Sequence, residues 1–248
     1  MDLLADLQEP ILPFRIAQGL QYTCRWDEQT QAFIVQIPNG ELIFYERFFT
    51  QKVSDRSVEY FQDNDRFDWM NTDWTHVAAA DFADIKFTHI NWKRDHIQMY
   101  GKHIPLPRLT AWYGDPGKSY TYSGITSQPN QWNEGLLYIK KKVEQASATT
   151  FNSVLMNWYR NGADHMSWHA DNEKALGTNP VIASVNFGAT RDFVMRRIDD
   201  PSKKISIPLK HGSLLVMAGE LQHYWQHAVP KRKTVKGSRF NLTFRTIV

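Results

Sequence analysis

The chain reads as a mainly β fold with flanking helices (α+β), a sandwich or jelly roll, and three observations predict it. From Thr150 onward seven short strand-like runs follow one another: FNSVLMNWY, IASVNFG, RDFVMRRI, KISIPL, SLLVMAG, HYWQHAV and RFNLTFRTI. Turn signals separate them, at Asn161-Gly162, Gly188, Asp199-Asp200-Pro201 and His211-Gly212, and many short strands at that spacing favour two packed sheets. An aromatic content of 13% with nine tryptophans suits a wide core and stacking surfaces. A length of 248 residues gives one large domain, or one with an amino-terminal extension, and buries a sizeable core.

Taken in order, residues 1 to about 40 begin with a short amphipathic stretch. The strand-like runs TCRW and AFIVQI follow, closed by the turn Pro38-Asn39-Gly40. The next segment, ELIFYERFFTQKVSDRSVEYFQDN, opens as a strand and passes into a helix with Val53, Val58 and Phe61 near helical spacing. Residues 65–89 hold Trp69, Trp74, His76, His89 and a run of three alanines, and read as an insertion with no role for either histidine. Apolar residues then alternate about Tyr100-Gly101, which predicts a hairpin. Tyr120, Tyr122 and Ser123 follow; by composition alone these tyrosines are core residues. From 130 to 148 an amphipathic helix carries Leu136, Leu137, Ile139 and Val143 on its inward face, with its lysines outward.

Charge and cysteine usage exclude several classes. A formal net charge of +3 does not make a polybasic binder, although basic residues gather at Lys140–Lys142 and in KRKTVKGSR, from Lys231 to Arg239, where they could meet phosphates or be ordinary solvated loop charge. A single cysteine, Cys24, leaves no internal disulfide and no thiolate cluster, consistent with a reducing compartment. The start MDLLADLQEP carries acids where a secretory leader carries bases, and no run approaches a membrane span. A soluble, intracellular chain with no membrane partner is the expectation.

The chemistry gathers around NWYRNGADHMSWHADNE, residues 157–173. On an extended strand His169 and Asp171, two apart, point to one face, so an imidazole and a carboxylate converge. A surface loop could carry such a pair by chance; His227, in QHYWQHAVP, is the candidate third ligand. Two imidazoles and one carboxylate are the set that leaves open positions on non-haem iron(II). In SRFNLTFRTIV, Arg239, Asn241, Thr243 and Arg245 share one face, and Phe240, Leu242 and Phe244 the other. The polar face could simply be solvated. Two arginines on it also suit a dicarboxylate, which a guanidinium grips through paired hydrogen bonds.

These motifs together resemble the AlkB family of iron(II) and 2-oxoglutarate-dependent dioxygenases, which repair alkylated nucleic acids. The resemblance rests on Asn157-x-Tyr159, His169-x-Asp171-x-Glu173, His227 and RFNLTFR, and runs from about Pro107 to Val248 through PRLTAWYGD, YTYSG, IASVNFGATRDFVMR and HGSLLVMAGELQHYWQH. It implies a double-stranded β-helix (jelly roll) core over 131–248, nucleotide-recognition hairpins forming a lid over 91–130, and an amino-terminal extension with buttressing helix and strands over 1–90. It implies Fe(II) on His169, Asp171 and His227, with 2-oxoglutarate and O2 as further cofactors. Arg239 would clamp the far carboxylate with Tyr159, Asn157 and Arg245 would hold the near end, and Asn241 and Thr243 would line the same pocket.

On the substrate side the resemblance implies Tyr122 opposite His169 across an extruded base, with Tyr120, Ser123 and Glu173 nearby, and Met99 or Tyr100 as a wedge in the base stack. His211 belongs to a turn, and His165 and His223 to supporting structure. The chain departs from the family at Asn172, where close relatives carry an acid, so preference for cationic bases is open. The expected activity is oxidative demethylation of N-alkylated bases in DNA, by a monomer in the cytoplasm or nucleus. An RNA demethylase, a small-molecule oxygenase of the same kind and a catalytically silent nucleic-acid-binding module are the alternatives.

Overall fold

In the computed structural model, residues 11–74, 76–77, 81–94, 96–99, 102–118, 120–122 and 125–248 are described; at 81, 83, 96–99, 102–105, 120–122 and 125–127 the description is of the backbone alone. The first half of the chain supplies β1 (Arg15–Ile16), β2 (Thr23–Asp27), β3 (Ala32–Ile37), β4 (Gly40–Tyr45) and helix α1 (Gln51–Gln62). There follow β5 (His96–Met99), β6 (Lys102–Pro105), β7 (Leu109–Gly114), β8 (Tyr120–Tyr122), β9 (Ile125–Ser127) and helix α2 (Glu134–Ser147). The second half gives β10 (Ser153–Tyr159), β11 (Met166–His169), β12 (Ile182–Gly188), β13 (Arg191–Arg197), β14 (Lys204–Leu209) and β15 (Ser213–Ala218). A single turn, α3 (Leu221–Tyr224), then leads into β16 (Trp225–Val229), and β17 (Arg239–Arg245) ends the sheets.

The strands assemble into an eight-stranded sheet, β2-β3-β4-β15-β12-β17-β10-β7, and a five-stranded sheet, β1-β14-β13-β16-β11, while β5-β6 and β8-β9 are separate hairpins. Every pairing in the two large sheets is antiparallel. Two such sheets packed face to face make the jelly roll that the strand spacing predicts. The amino-terminal strands β2, β3 and β4 extend the larger sheet through β15.

Alternation decides what each face does. Along β17, β10 and β12 the residues Phe240, Leu242, Phe244, Val154, Met156, Trp158, Ala183, Val185 and Phe187 all point away from the smaller sheet, into a core closed by α1 and α2. Trp158, fully buried, meets Trp74, Phe82, Phe87, Trp92 and Phe240 there at centroid distances of 4.9–6.1 Å. The stretch read as an insertion therefore contributes Trp74, Phe82 and Ile85 to this core. Each such buried side chain stabilises by about 1.5–3 kcal/mol. Between the two sheets, Leu42, Phe44, Ile182, Leu215 and Met217 meet Phe193, Met195, Ile205 and Ile207 in a second core.

The helices follow their caps. Thr50 accepts a hydrogen bond from Val53 N at the start of α1, and Asn133 from Leu136 N at the start of α2. In α2, Leu136, Ile139 and Val143 are buried as the spacing predicts, but Leu137 is 45% exposed. At 100° per residue it stands a quarter turn from its neighbour's inward direction, and the stripe is narrower than the sequence suggested. His211 and Gly212 form a turn under α1. Gly212 has φ +78°, and a side chain there would strike Ser54 and Phe49, so only glycine lets the helix lie this close. His211 accepts from Gly188 N at 2.8 Å through Nδ1 and contacts Asp55 at 3.1 Å through Nε2, as a turn residue rather than a ligand. Among the described residues no helix is long and apolar enough to cross a membrane.

Candidate metal centre

The strand register builds one polar patch between the sheets. On the larger sheet Asn157, Asn241 and Asn186 stand in one cross-strand row; Tyr159, Arg239 and Gly188 form the next. The polar face of β17 is not solvated: Arg239, Asn241, Thr243 and Arg245 are all less than a tenth exposed. They are linked, with Asn241 Nδ2 donating to Ser184 Oγ at 2.8 Å and Thr243 Oγ1 donating to Asn241 Oδ1 at 3.0 Å. Buried polar groups must be satisfied this way, or they destabilise the core.

Facing this patch on the smaller sheet, β11 and β16 pair so that His169 is directly opposite His227. Their ring centroids are 4.2 Å apart. Asp171 joins them, and one potential ligand atom from each of the three lies within 4.8 Å of the others. Strand geometry explains this only in part. β11 ends at His169, so Asp171 sits two residues beyond the strand and not on its face as expected. Its place is fixed by other contacts: its amide N–H donates to Gln222 Oε1 at 2.9 Å, and its Oδ1 accepts from Arg245 Nη2 at 2.8 Å.

The electrostatics suit a cation. Burial pushes His227 down to about 3, with the neighbouring His169 adding to the effect, and burial also lowers His169. Both imidazoles are therefore neutral near pH 7 and offer lone pairs. His169 donates Nδ1–H to Ser167 O at 2.8 Å, which leaves Nε2 as its ligand atom. For Asp171 burial acts upward, but the Arg245 guanidinium and the two histidines outweigh it and hold the carboxyl at about 2. Two neutral imidazoles and one carboxylate anion fit a divalent first-row metal, with Phe193 stacked on His227 at 5.0 Å as an apolar wall.

Beside the triad is a cation whose hydrogen-bonding capacity is only partly met. Arg239 is 1% exposed and its Nη2 donates to Asn186 Oδ1 at 2.6 Å, while its guanidinium lies 4.9 Å above the Tyr159 ring. Its Nε and Nη1 have no well-aligned acceptor among the described residues, although the neighbouring Tyr159 side chain also favours its charge. Burial lowers Arg239 to about 10, which leaves it charged at neutral pH. A buried guanidinium with two idle nitrogens calls for a carboxylate, and the same cavity is lined by Asn157, Tyr159, Thr243 and Arg245. Asn157 Oδ1 accepts from Arg108 Nε at 2.6 Å, so its N–H2 end remains to donate.

The predicted site residues divide accordingly. His169, Asp171, His227, Asn157, Tyr159, Arg239, Asn241, Thr243 and Arg245 all line one cavity. Glu173, two residues after Asp171, is not among the lining residues; it is partly buried, with its Oε2 lacking a hydrogen-bond partner among the described residues. Tyr100 and Ser123 lie outside the described residues; Tyr120 and Tyr122 lie on β8, and Met99 on β5. His165 contacts Ala163 O, His76 pairs with Asp73, and His89 stacks on Tyr60, all away from the triad. Sequence reasoning missed Asn186, Arg108 and Gln222. Asn186 was visible as a polar residue alternating with Ser184 in an otherwise apolar run; Arg108 and Gln222 carried no local signal.

Comparisons with known proteins bear on this geometry. The model of the 2OG-Fe(II) oxygenase superfamily matches residues 69–245. Alpha-ketoglutarate-dependent dioxygenase alkB homolog 3 of Mus musculus is 48% identical over 152 residues, 58% of this chain and 52% of that protein. DNA oxidative demethylase ALKBH2 is 44% identical over 159 residues in Homo sapiens, 61% of each chain. In Mus musculus it is 36% identical over 197 residues, 74% of this chain and 82% of that protein. The chain spans about half the length of the alkB homolog 3 relatives that it matches. The solved structure of OsALKBH1 superposes with a TM-score of 0.54 at 16% identity, covering 85% of this chain and 98% of that one, and shows the same fold.

Proposed function

Because the chain belongs to the AlkB family within the 2OG-Fe(II) oxygenase superfamily, we propose that it is an iron(II) and 2-oxoglutarate-dependent dioxygenase that demethylates N-alkylated bases in DNA. The observation that carries this reading is the pairing, in one cavity, of a His169-Asp171-His227 cluster with the buried, partly unsatisfied guanidinium of Arg239. A metal site alone would not need that arginine. A binding module without chemistry would need neither.

When bound, the metal and cosubstrate supply the oxidation, turning 2-oxoglutarate and O2 into succinate and carbon dioxide and an N-methyl group into formaldehyde. The chain's own residues bind and orient. His169, Asp171 and His227 would hold the metal, and a set of three protein ligands would leave further positions for the cosubstrate and O2. Arg239, steadied by Asn186 and Tyr159, would grip the far carboxylate, and Asn157 and Arg245 would take the near end. The buried apolar walls of Phe193 and Met217 exclude water from the reacting centre. Sequence resemblance supports the hairpins of 91–130, with Tyr100, Tyr120, Tyr122 and Ser123, together with Glu173, as the groups that meet the extruded base. Nucleic acid is the substrate class, and DNA the form proposed.

The test is mass spectrometry of methylated single-stranded DNA, duplex DNA and RNA oligonucleotides after incubation with iron(II), ascorbate and 2-oxoglutarate. The expected result is a mass decrease of about 14 Da for each N-methyl group replaced by N–H in DNA, abolished by His169→Ala. Demethylation of RNA alone would move the substrate, and no demethylation of any strand would overturn the reading.

A further inference from the structure

Asp171 is the triad member least supported by the sheets. β11 ends two residues before it, so no ladder hydrogen bond fixes its backbone. Its amide N–H instead donates to the side-chain Oε1 of Gln222 at 2.9 Å, and each of the two residues is 2% exposed. Gln222 lies in α3, the single turn that runs directly into β16 and so to His227. One side chain thus joins the two segments that carry the carboxylate and the distal imidazole. We propose that Gln222 is a positioning residue for metal binding, which sets where the Asp171 carboxylate stands relative to His227 and His169. The proposal rests on the reading of the triad as a metal centre.

A four-residue helix has no stability of its own and must be held from outside. The turn Pro38-Asn39-Gly40 between β3 and β4 holds it. Leu221 of α3 packs so closely on Gly40 that any side chain at Gly40 would collide with it. Trp225 Nε1 donates to Pro38 O at 2.9 Å, and Asn39 Nδ2 donates to Glu220 Oε2 at 3.1 Å. Arg197 Nη1 donates to Asn39 Oδ1 at 3.1 Å, which ties the same turn to β13. The orientation of the Gln222 amide is settled as well. Its Nε2 end faces Met217 Sδ at 4.0 Å, a weak acceptor, so Oε1 is the end presented to the Asp171 amide. An amino-terminal turn with no chemistry of its own therefore supports a metal ligand more than 130 residues later through one glutamine.

The experiment is an anaerobic Co(II) titration of the full chain, following the visible absorption of the bound ion and the dissociation constant, with no turnover required. Gln222→Met keeps the shape and removes the carbonyl oxygen, leaving only a weakly accepting thioether; it is expected to raise the dissociation constant about tenfold or more and to change the Co(II) spectrum. Gln222→Glu keeps an acceptor at the same reach and should restore both toward the parent. If the Met variant does not fold, Gln222→Asn, one methylene short of Asp171, carries the same expectation. Unchanged affinity and spectrum in the Met or Asn variant, or equal weakening by Glu, overturns the proposal. Undiminished Co(II) uptake by His169→Ala, or none by the parent, would instead remove the metal centre itself.

Discussion

Arg239 shows how one residue can be costly to the fold and useful to the site. A buried guanidinium with two nitrogens lacking acceptors is costly to the fold, and an apolar replacement relieves that. Arg239→Met is therefore expected to raise the melting temperature slightly while weakening 2-oxoglutarate by about 10- to 100-fold, from the removal of a charged hydrogen bond of about 1.5–3 kcal/mol. Calorimetric titration of 2-oxoglutarate into the Mn(II)-loaded protein measures the second effect, and unchanged affinity would remove the clamp. His227 makes a pH prediction. Its folded value, about 3, lies below the ordinary 6.5, so the unfolded chain takes up a proton that the folded one refuses. Its contribution is whole above about pH 6.5 and is lost as pH falls toward 3. Asp171, lowered from 3.8 to about 2, adds a loss in the same direction below pH 3.8. The metal-free protein should thus melt at steadily lower temperature from pH 7 to pH 4 in a fluorimetric scan, and His227→Gln should flatten that decline.

At the level of the element, β17 does two things because both of its faces are covered. Phe240, Leu242 and Phe244 face the aromatic core, while the alternate residues make the floor of the site. Phe240→Ala leaves a cavity beside Trp158 and is expected to cost about 3–5 kcal/mol in urea unfolding, with the order of the strands unchanged. Helix α2 offers a smaller, local test. Asn133 caps it and also donates Nδ2 to His89 O at 2.9 Å, so Asn133→Ala should cost about 1–2 kcal/mol in the same assay. The periodicity of both elements was legible in the sequence. The outward turn of Leu137 was not, since three-residue and four-residue spacings both look apolar until a neighbour selects one.

Over the whole molecule the charge balance is slight, and the proposed nucleic-acid substrate would be met by basic residues that no carboxylate pairs. In the loop before β17, Lys231, Lys233 and Lys236 are exposed, whereas Arg232 is paired with Asp192 at 2.7 Å. Replacing the three lysines by glutamine should weaken binding to a single-stranded oligonucleotide across sequences. For each phosphate that a lysine no longer neutralises, the salt slope should lessen by about 0.7, and an unchanged slope would take this loop out of the interface. The sequence by itself determined the strand alternation, the candidate residues His169, Asp171 and His227, the polar face of β17 and the family resemblance, because each is written as alternation along a strand or as a short motif. Only the tertiary structure decided that the polar face of β17 is buried rather than wet. It alone revealed that Asp171 is held from another segment through Gln222, that Arg108 and Asn186 orient the pocket, and that residues 65–89 pack into the core. Those outcomes depend on contacts between residues far apart in the chain, and no local period records which distant surface will cover a given face.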